Sequence, residues 1–328
     1  MIAGAMKLGI SPIAAAHFIG IASYLCAGAL LILILGGLTV GSAVACSLYF
    51  TAPFFFTHAW SGLETMLFTA AILFAVYAFR RRRDGIFLAA LLLLSSVRPE
   101  GFLFAFILMA LYQPLSRRLV LAFVVPCAVY FAWRWTYYGR MLPNTFYAKS
   151  VSSPSDREAN GAYLFSFFKT YLLWPTLCGL VFARLLDIKK HWRIVAATAA
   201  FSAIVLFSYV RFKLEMNFIF RFYAPFYPLA LVGVGGALNS GRRVTRLWPV
   251  VLVLTAFQVG INAKELRTQM YSRASYWLML NDEHIALGKY LRDVAPQNER
   301  LIVHADAGAI PYYSKLKTVD FGRLNDEY

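Results

Sequence analysis

The chain has 328 residues, 60% of them hydrophobic, with 28 Phe, 19 Tyr and a formal net charge of +16. Apolar runs of about 20 residues recur through most of it, long enough to cross a hydrocarbon core about 30 Å thick, which excludes an ordinary soluble domain. The cations cluster in short loops between these runs, where they set membrane orientation, so nucleic acid is not an expected partner.

In chain order the candidate spans are 13–36, 39–57, 62–79, 85–97, 101–114, 119–137, 162–183, 194–210, 222–239 and 246–262. The expected class is an all-α polytopic membrane protein of about ten transmembrane helices over residues 1–262. Met1 opens onto a mildly apolar stretch without a basic flank, so no signal peptide is expected. The four cysteines, Cys26, Cys46, Cys127 and Cys178, fall within apolar runs and read as small core residues rather than a disulfide framework or zinc site. The pair 85–97 and 101–114 is short, since thirteen helical residues rise only about 20 Å, and reads as a hairpin turning below the surface.

Arg80 to Arg83 give the strongest orientation signal and are placed in the cytoplasm. Alternation then puts Arg117, Arg118, the Lys189–Arg193 loop, Arg242, Arg243 and Arg246 on the same side. The opposite, outer face collects 58–64, 98–101, 137–161, 211–221 and everything after 262. Trp60, Trp133, Trp135, Tyr137 and Tyr138 fall near it and suit an interfacial aromatic belt. The localisation that follows is multi-pass in the cytoplasmic membrane of a bacterium, with the site and the C-terminus outside.

Residues 263–328 are richer in charge. An amphipathic pattern covers His284–Val294, strand-like Leu301–His304 follows, then a short helical stretch and a second strand-like run at Thr318–Phe321. This predicts a partial, periplasmic α/β segment.

Two carboxylates stand at the lips of apolar runs: Glu64 in Ser61-Gly-Leu-Glu-Thr65 and Glu100 in Arg98-Pro-Glu-Gly101. A carboxylate at membrane depth is costly and is usually paired or functional. Helix capping also accounts for Glu64, because Ser61 three residues earlier completes a capping-box pattern. For Glu100, a local pair with Arg98 across Pro99 is the alternative. Seven cations, Arg98, Arg134, Arg140, Lys149, Arg211, Lys213 and Arg221, fall on the outer side against the orientation trend. Guanidinium groups recognise phosphate through paired hydrogen bonds. The stretch 137–150 packs Arg140, Asn144, Tyr147 and Lys149 around the helix breakers Gly139 and Pro143, and reads as lining a site for an anionic, sugar-bearing lipid.

Ser-Gly-Leu-Glu-Thr, Arg-Pro-Glu-Gly, the Leu142–Lys149 string with Tyr138-Gly139 before it, and Arg221-Phe222 with Pro225 and Pro228 together resemble the GT-C membrane glycosyltransferases, in particular the mycobacterial arabinofuranosyltransferase B type. The resemblance implies transfer of a sugar from a polyprenyl-phosphate donor to a glycan or lipid-linked acceptor at the outer membrane face. On that reading Arg140 and Lys149 are the first choices for the lipid phosphate, with Arg221 and Arg98 next. Asn144 and Tyr147 address sugar hydroxyls, Glu100 belongs to the substrate-binding set, and Glu64 is the remaining candidate for the catalytic base. The family's acidic pair in an outer loop after a first helix has no counterpart before Glu64. A shortened N-terminus and little transferase activity are therefore expected. A divalent metal stays open, since the carboxylate pair is missing and no histidine cluster replaces it. A lipid or small-molecule transporter or flippase, and an inactive lipid-binding member of the same fold, are the alternatives.

Overall fold

A computed structural model describes residues 2–141, 146–147, 152–174, 188–214, 217–239, 248–296, 298, 300–303 and 308–320. Almost all of the described chain is helical. The first helices are α1 (Ile2–Lys7), α2 (Pro12–Ile34), α3 (Val40–Thr51), α4 (Pro53–Trp60), α5 (Thr65–Arg81), α6 (Asp84–Val97), α7 (Pro99–Leu111) and α8 (Arg117–Tyr138). Then come α9 (Pro154–Phe167), α10 (Ile188–Val210), α11 (Tyr227–Asn239), α12 (Trp248–Met279) and α13 (Ala286–Val294). The chain closes with β1 (Arg300–Val303), α14 (Ala309–Ser314) and β2 (Lys317–Asp320).

The helix starts are written in local chemistry. Ser11 Oγ accepts the amide of Ala14 at 3.1 Å, and Pro12 occupies the first turn of α2, where its missing N–H costs nothing. Thr39 and Ser42 exchange side-chain and backbone hydrogen bonds in a capping box that opens α3.

Contacts divide the chain into two units, residues 1–133 with 152–263, and residues 134–151 with 264–328. In the first unit α5 is the central helix: Met66, Phe68, Ile72, Leu73 and Val76 are all buried. α2 packs along one side of it and α6 along another, α7 follows α6, and α10 covers α7. α3 lies against α11, where a side chain on Gly41 would overlap the carbonyl oxygen of Gly235. Aromatic edges fill the gaps: Phe104 stacks on Phe201 at 4.3 Å between α7 and α10, and Phe54 meets Tyr171 at 4.8 Å.

Among the described residues, five helical segments are long and apolar enough to cross a membrane: Pro12–Ile34, Arg117–Tyr138, Arg193–Val210, Phe218–Asn239 and Pro249–Gln269. The count rises to six if α3 and α4, bent by 60°, make one span. The chain is thus an all-α membrane protein by length and composition, and among the described residues not every apolar run forms one full-length helix. The run 39–57 breaks because Pro53 cannot continue α3. The run 62–79 forms α5, of 17 residues, and the next two form the short helices α6 and α7. Residues 175–187, part of the 162–183 run, lie outside the described residues.

In the second unit β1 and β2 pair in parallel, from Arg300 opposite Lys317 to Val303 opposite Asp320, with α14 between them in sequence. α13 packs on α14, where Gly288 sits against Ile310 and Tyr313.

Candidate functional site

The site is assembled at three breaks in the helical chain. The first separates α6 from α7. Pro99 disfavours the helical conformation for the residue before it, and Arg98 adopts extended angles, φ −146° and ψ 147°. Arg98 alone joins the two helices, and Pro99 starts α7. Gly101 makes this tight hairpin possible, because a Cβ there would overlap the carbonyl oxygen of Leu94. The Arg-Pro-Glu-Gly string therefore delivers a buried guanidinium and, two residues later, a carboxylate in the first turn of α7.

The second break joins α4 to α5. Gly62 takes φ +70°, which a residue with a side chain adopts only with strain. Ser61 Oγ donates to the carbonyl of His58 at 3.1 Å and accepts from Leu63 N at 3.3 Å. Glu64 is the residue before α5, and its side chain makes no capping hydrogen bond. The expected Ser61–Glu64 capping box is therefore corrected: Ser61 serves the end of α4 and leaves the Glu64 carboxylate for other partners.

The third break precedes α11. Ile219 and Phe220 both have left-handed backbone angles, φ 49° and 55°. Bulky residues enter this region only where the surroundings hold them. Here the Phe220 amide donates to Tyr163 Oη at 3.0 Å, and its ring stacks on Tyr163 at 4.5 Å. His58 Nε2 lies 3.1 Å from the carbonyl oxygen of Ile219, and the Phe222 amide donates to Asn217 Oδ1 at 3.0 Å. These bonds fix Arg221, in the middle of the turn, with its side chain directed at Glu64.

Arg221 Nη2 lies 2.9 Å from Oε1 and 3.0 Å from Oε2 of Glu64. Arg98 Nε is 4.0 Å from Glu64 Oε1, and Arg98 Nη2 is 2.9 Å from Glu100 Oε1. Tyr209, from the last turn of α10, donates to Glu100 and accepts from Arg98 Nη2 at 3.3 Å. The Arg98 guanidinium lies between the rings of Phe68 and Phe222, at 5.2 and 4.8 Å, and Arg221 shares Phe222 at 5.3 Å. Two carboxylates and two guanidiniums make a network of zero net charge, packed on aromatic faces.

Accessibility within the network is graded. Arg98 is 7% exposed and Arg221 12%, while Glu64 is 36% exposed. The carboxylate is the open face and the arginines form its backing. Burial alone would raise the Glu64 pKa, but Arg221 and then Arg98 outweigh burial and lower it. Glu64 lies before α5, outside the helix itself, and is ionised at neutral pH. Arg98 Nη1, Arg221 Nε and Thr65 Oγ1 are buried without a hydrogen-bond partner among the described residues.

Four of the eight sequence candidates, Glu64, Arg98, Glu100 and Arg221, are thus brought together. Arg140 and Tyr147 belong to the other unit, where the Arg140 guanidinium sits 5.0 Å from the Tyr147 ring. Asn144 and Lys149 lie outside the described residues. Three of the other cations expected on the outer side have aromatic neighbours: Arg134 sits over Tyr138, Arg211 over Phe207, and Arg140 as above. Tyr209, Tyr163 and Asn217 were missed by sequence reasoning. Tyr209 sits one residue from the end of an apolar run, where a tyrosine reads as an interfacial residue. Its position on the same face as Arg98 was the available signal. Among the described residues no group of three His, Cys, Asp or Glu side chains could hold a metal ion.

No protein-family model, curated protein or solved structure matches this chain.

Proposed function

We propose that the chain is a membrane glycosyltransferase that moves a sugar from a polyprenyl-phosphate carrier to a cell-envelope glycan or other acceptor at the outer face of a bacterial cytoplasmic membrane. One observation carries the reading: a half-exposed carboxylate, Glu64, is backed by the buried guanidinium of Arg98 and the largely buried one of Arg221. Such transfer needs a base for the acceptor hydroxyl and positive charge beside the departing phosphate.

In this scheme the acceptor oxygen forms a bond to the anomeric carbon as the bond from that carbon to the phosphate oxygen breaks. The acceptor proton passes to Glu64, and the polyprenyl phosphate leaves as an anion. Arg221 is the arginine that changes partner: as phosphate charge develops, its guanidinium moves from Glu64 toward the phosphate. That shift restores the basicity of Glu64, which the resting ion pair suppresses. Arg98 stays with Glu100 and Tyr209 and supplies fixed positive charge.

The reading rests on this chain's own residues and not on the loop carboxylates of the resembled family. The expectation of little activity depended partly on Glu64 being spent as a helix cap, and it is not spent so. An inactive lipid-binding role has one observation in its favour, the full mutual neutralisation of the four charges. Purified protein in proteoliposomes, supplied with a panel of polyprenyl-phosphate sugars and an oligosaccharide acceptor, separates the two. Release of polyprenyl phosphate that depends on Arg221 supports transfer, whereas carrier binding without release supports the lipid-binding role.

A further inference from the structure

A second site lies at the opposite end of α5. Its 17 residues rise about 25 Å from Glu64 to the arginine cluster. There, the end of α2 and the end of α5 enclose a cleft of about 510 Å³, lined by Leu33, Ile34, Gly36, Gly37, Tyr77 and the two arginines Arg80 and Arg81. This is within the size range of small-ligand sites. Among the described residues neither glycine has a heavy atom within 4 Å of where a Cβ would stand.

The arginines here differ from those at the candidate transfer site. Arg80 donates one nitrogen to the carbonyl of Ile34, which ends α2. Arg81 donates Nε to Tyr77 Oη at 3.0 Å, and its guanidinium lies 5.1 Å from the Tyr77 ring. Neither forms an ion pair among the described residues. The nearest acid in sequence, Asp84, accepts the Tyr112 hydroxyl at 2.9 Å. Arg82 is turned elsewhere, donating to the Gln113 carbonyl at 3.1 Å and lying over Phe79 and Tyr112. The cleft thus holds two oriented guanidiniums, with no carboxylate paired to them among the described residues. Apolar groups flank it: Leu33 is 48% exposed and Leu38, just past the glycines, 91%.

We propose that this cleft binds a phosphate-ester anion. Anchored guanidiniums suit phosphate oxygens in number and geometry, and the exposed leucines suit the hydrocarbon of a lipid that carries one. The shared chemistry is the phosphate, and its source is either a lipid head group or a free phosphate compound.

The test uses the full chain in mixed micelles, with native mass spectrometry reading retained lipid. Phosphatidylglycerol is expected to be retained over uncharged diacylglycerol of the same chain length. Arg81→Gln should lower phosphatidylglycerol retention about tenfold, the worth of one charged hydrogen bond. Tyr77→Phe, which frees Arg81 from its anchor but keeps the charge, should lower it in the same direction and by less. Arg82→Gln, outside the cleft, should leave it within about twofold, below one weak hydrogen bond. Displacement of the lipid by millimolar inorganic phosphate identifies a free phosphate compound as the ligand, and retention identifies the lipid. Equal losses in Arg81→Gln and Arg82→Gln would mean general attraction to a basic face and would overturn the site. Equal retention of phosphatidylglycerol and diacylglycerol would overturn it too. Thermal unfolding of each variant shows that the folded protein is being compared.

Discussion

Glu64 and Arg221 are 157 positions apart in the chain, yet one guanidinium nitrogen of Arg221 lies within 3.0 Å of both carboxylate oxygens of Glu64. The contact ties the start of α5 to the strained turn before α11. It is made where the carboxylate is still open to its surroundings and the arginine is not. Loop closure over such a separation carries an entropic cost, and the hydrogen bonds that Tyr163 and Asn217 make with the turn, together with the ion pair, are the contacts that offset it.

Their coupling is measurable. Glu64→Gln, Arg221→Gln and the double variant form a thermodynamic cycle, and residues in direct contact typically couple by about 0.5–3 kcal/mol. Urea or thermal unfolding in detergent is expected to show a favourable coupling in this range. Strict additivity would mean that the ion pair adds nothing to the fold.

Arg98 should be the least replaceable member of the network. It is buried and faces two carboxylates and a tyrosine. Removing one partner of a buried ion pair typically costs about 3–5 kcal/mol, because the remaining charge is left uncompensated. Arg98→Ala is therefore expected to lower thermal stability far more than Tyr209→Phe, which removes a hydrogen bond worth about 1 kcal/mol net. The comparison is made by scanning fluorimetry on the purified proteins.

The Glu64 pKa is lowered from its ordinary value of 4.5 by Arg221 and Arg98, against the raising effect of burial. A carboxyl depressed in the folded state contributes stability that is complete above its unfolded pKa and is lost as pH falls through the folded value. Stability due to this pair should thus be flat at neutral pH and fall on the acid side of about 4.5. Glu64→Gln should have a shallower acid-side decline. Melting temperatures measured from neutral to strongly acid pH decide the point, and identical acid slopes in both proteins would remove Glu64 from the account.

The basic loops predict the sidedness of the chain. Cysteines introduced at Arg81, Arg117, Lys190 and Arg242 should label only from the cytoplasm, and those at Ser152 and Asn281 only from outside. Outside labelling at Arg81 would place the proposed transfer site on the wrong face for a polyprenyl-phosphate donor presented outside.

What the sequence made legible was the membrane class and one end of the site. Apolar runs and basic loops are strong, local signals, and they set Glu64, Arg98, Glu100 and Arg221 on one face without any coordinates. The Pro99 rule alone fixes the extended backbone at Arg98. The pairing was not legible. Ser61 and Glu64 have capping-box spacing, but the left-handed turn at Gly62 points Ser61 back to His58 instead. Ile219 and Phe220 carry no sequence mark of their left-handed conformation, because their position is enforced by Tyr163 and His58, far away in the chain. How each apolar run meets the membrane was not legible for a related reason: such a run records what is hidden from water, not whether the helix crosses or bends, as α3 and α4 do by 60° at Pro53.

The central claim is that Glu64 takes the acceptor proton during sugar transfer. The direct measurement is the initial rate of sugar transfer from a polyprenyl-phosphate donor in proteoliposomes, wild type beside Glu64→Gln, with donor binding followed in the same vesicles. A positioned general base contributes about 100- to 10,000-fold, so a rate loss of that size with donor binding retained is expected. Equal rates in the two proteins, or no transfer by the wild type with any donor it binds, would contradict it.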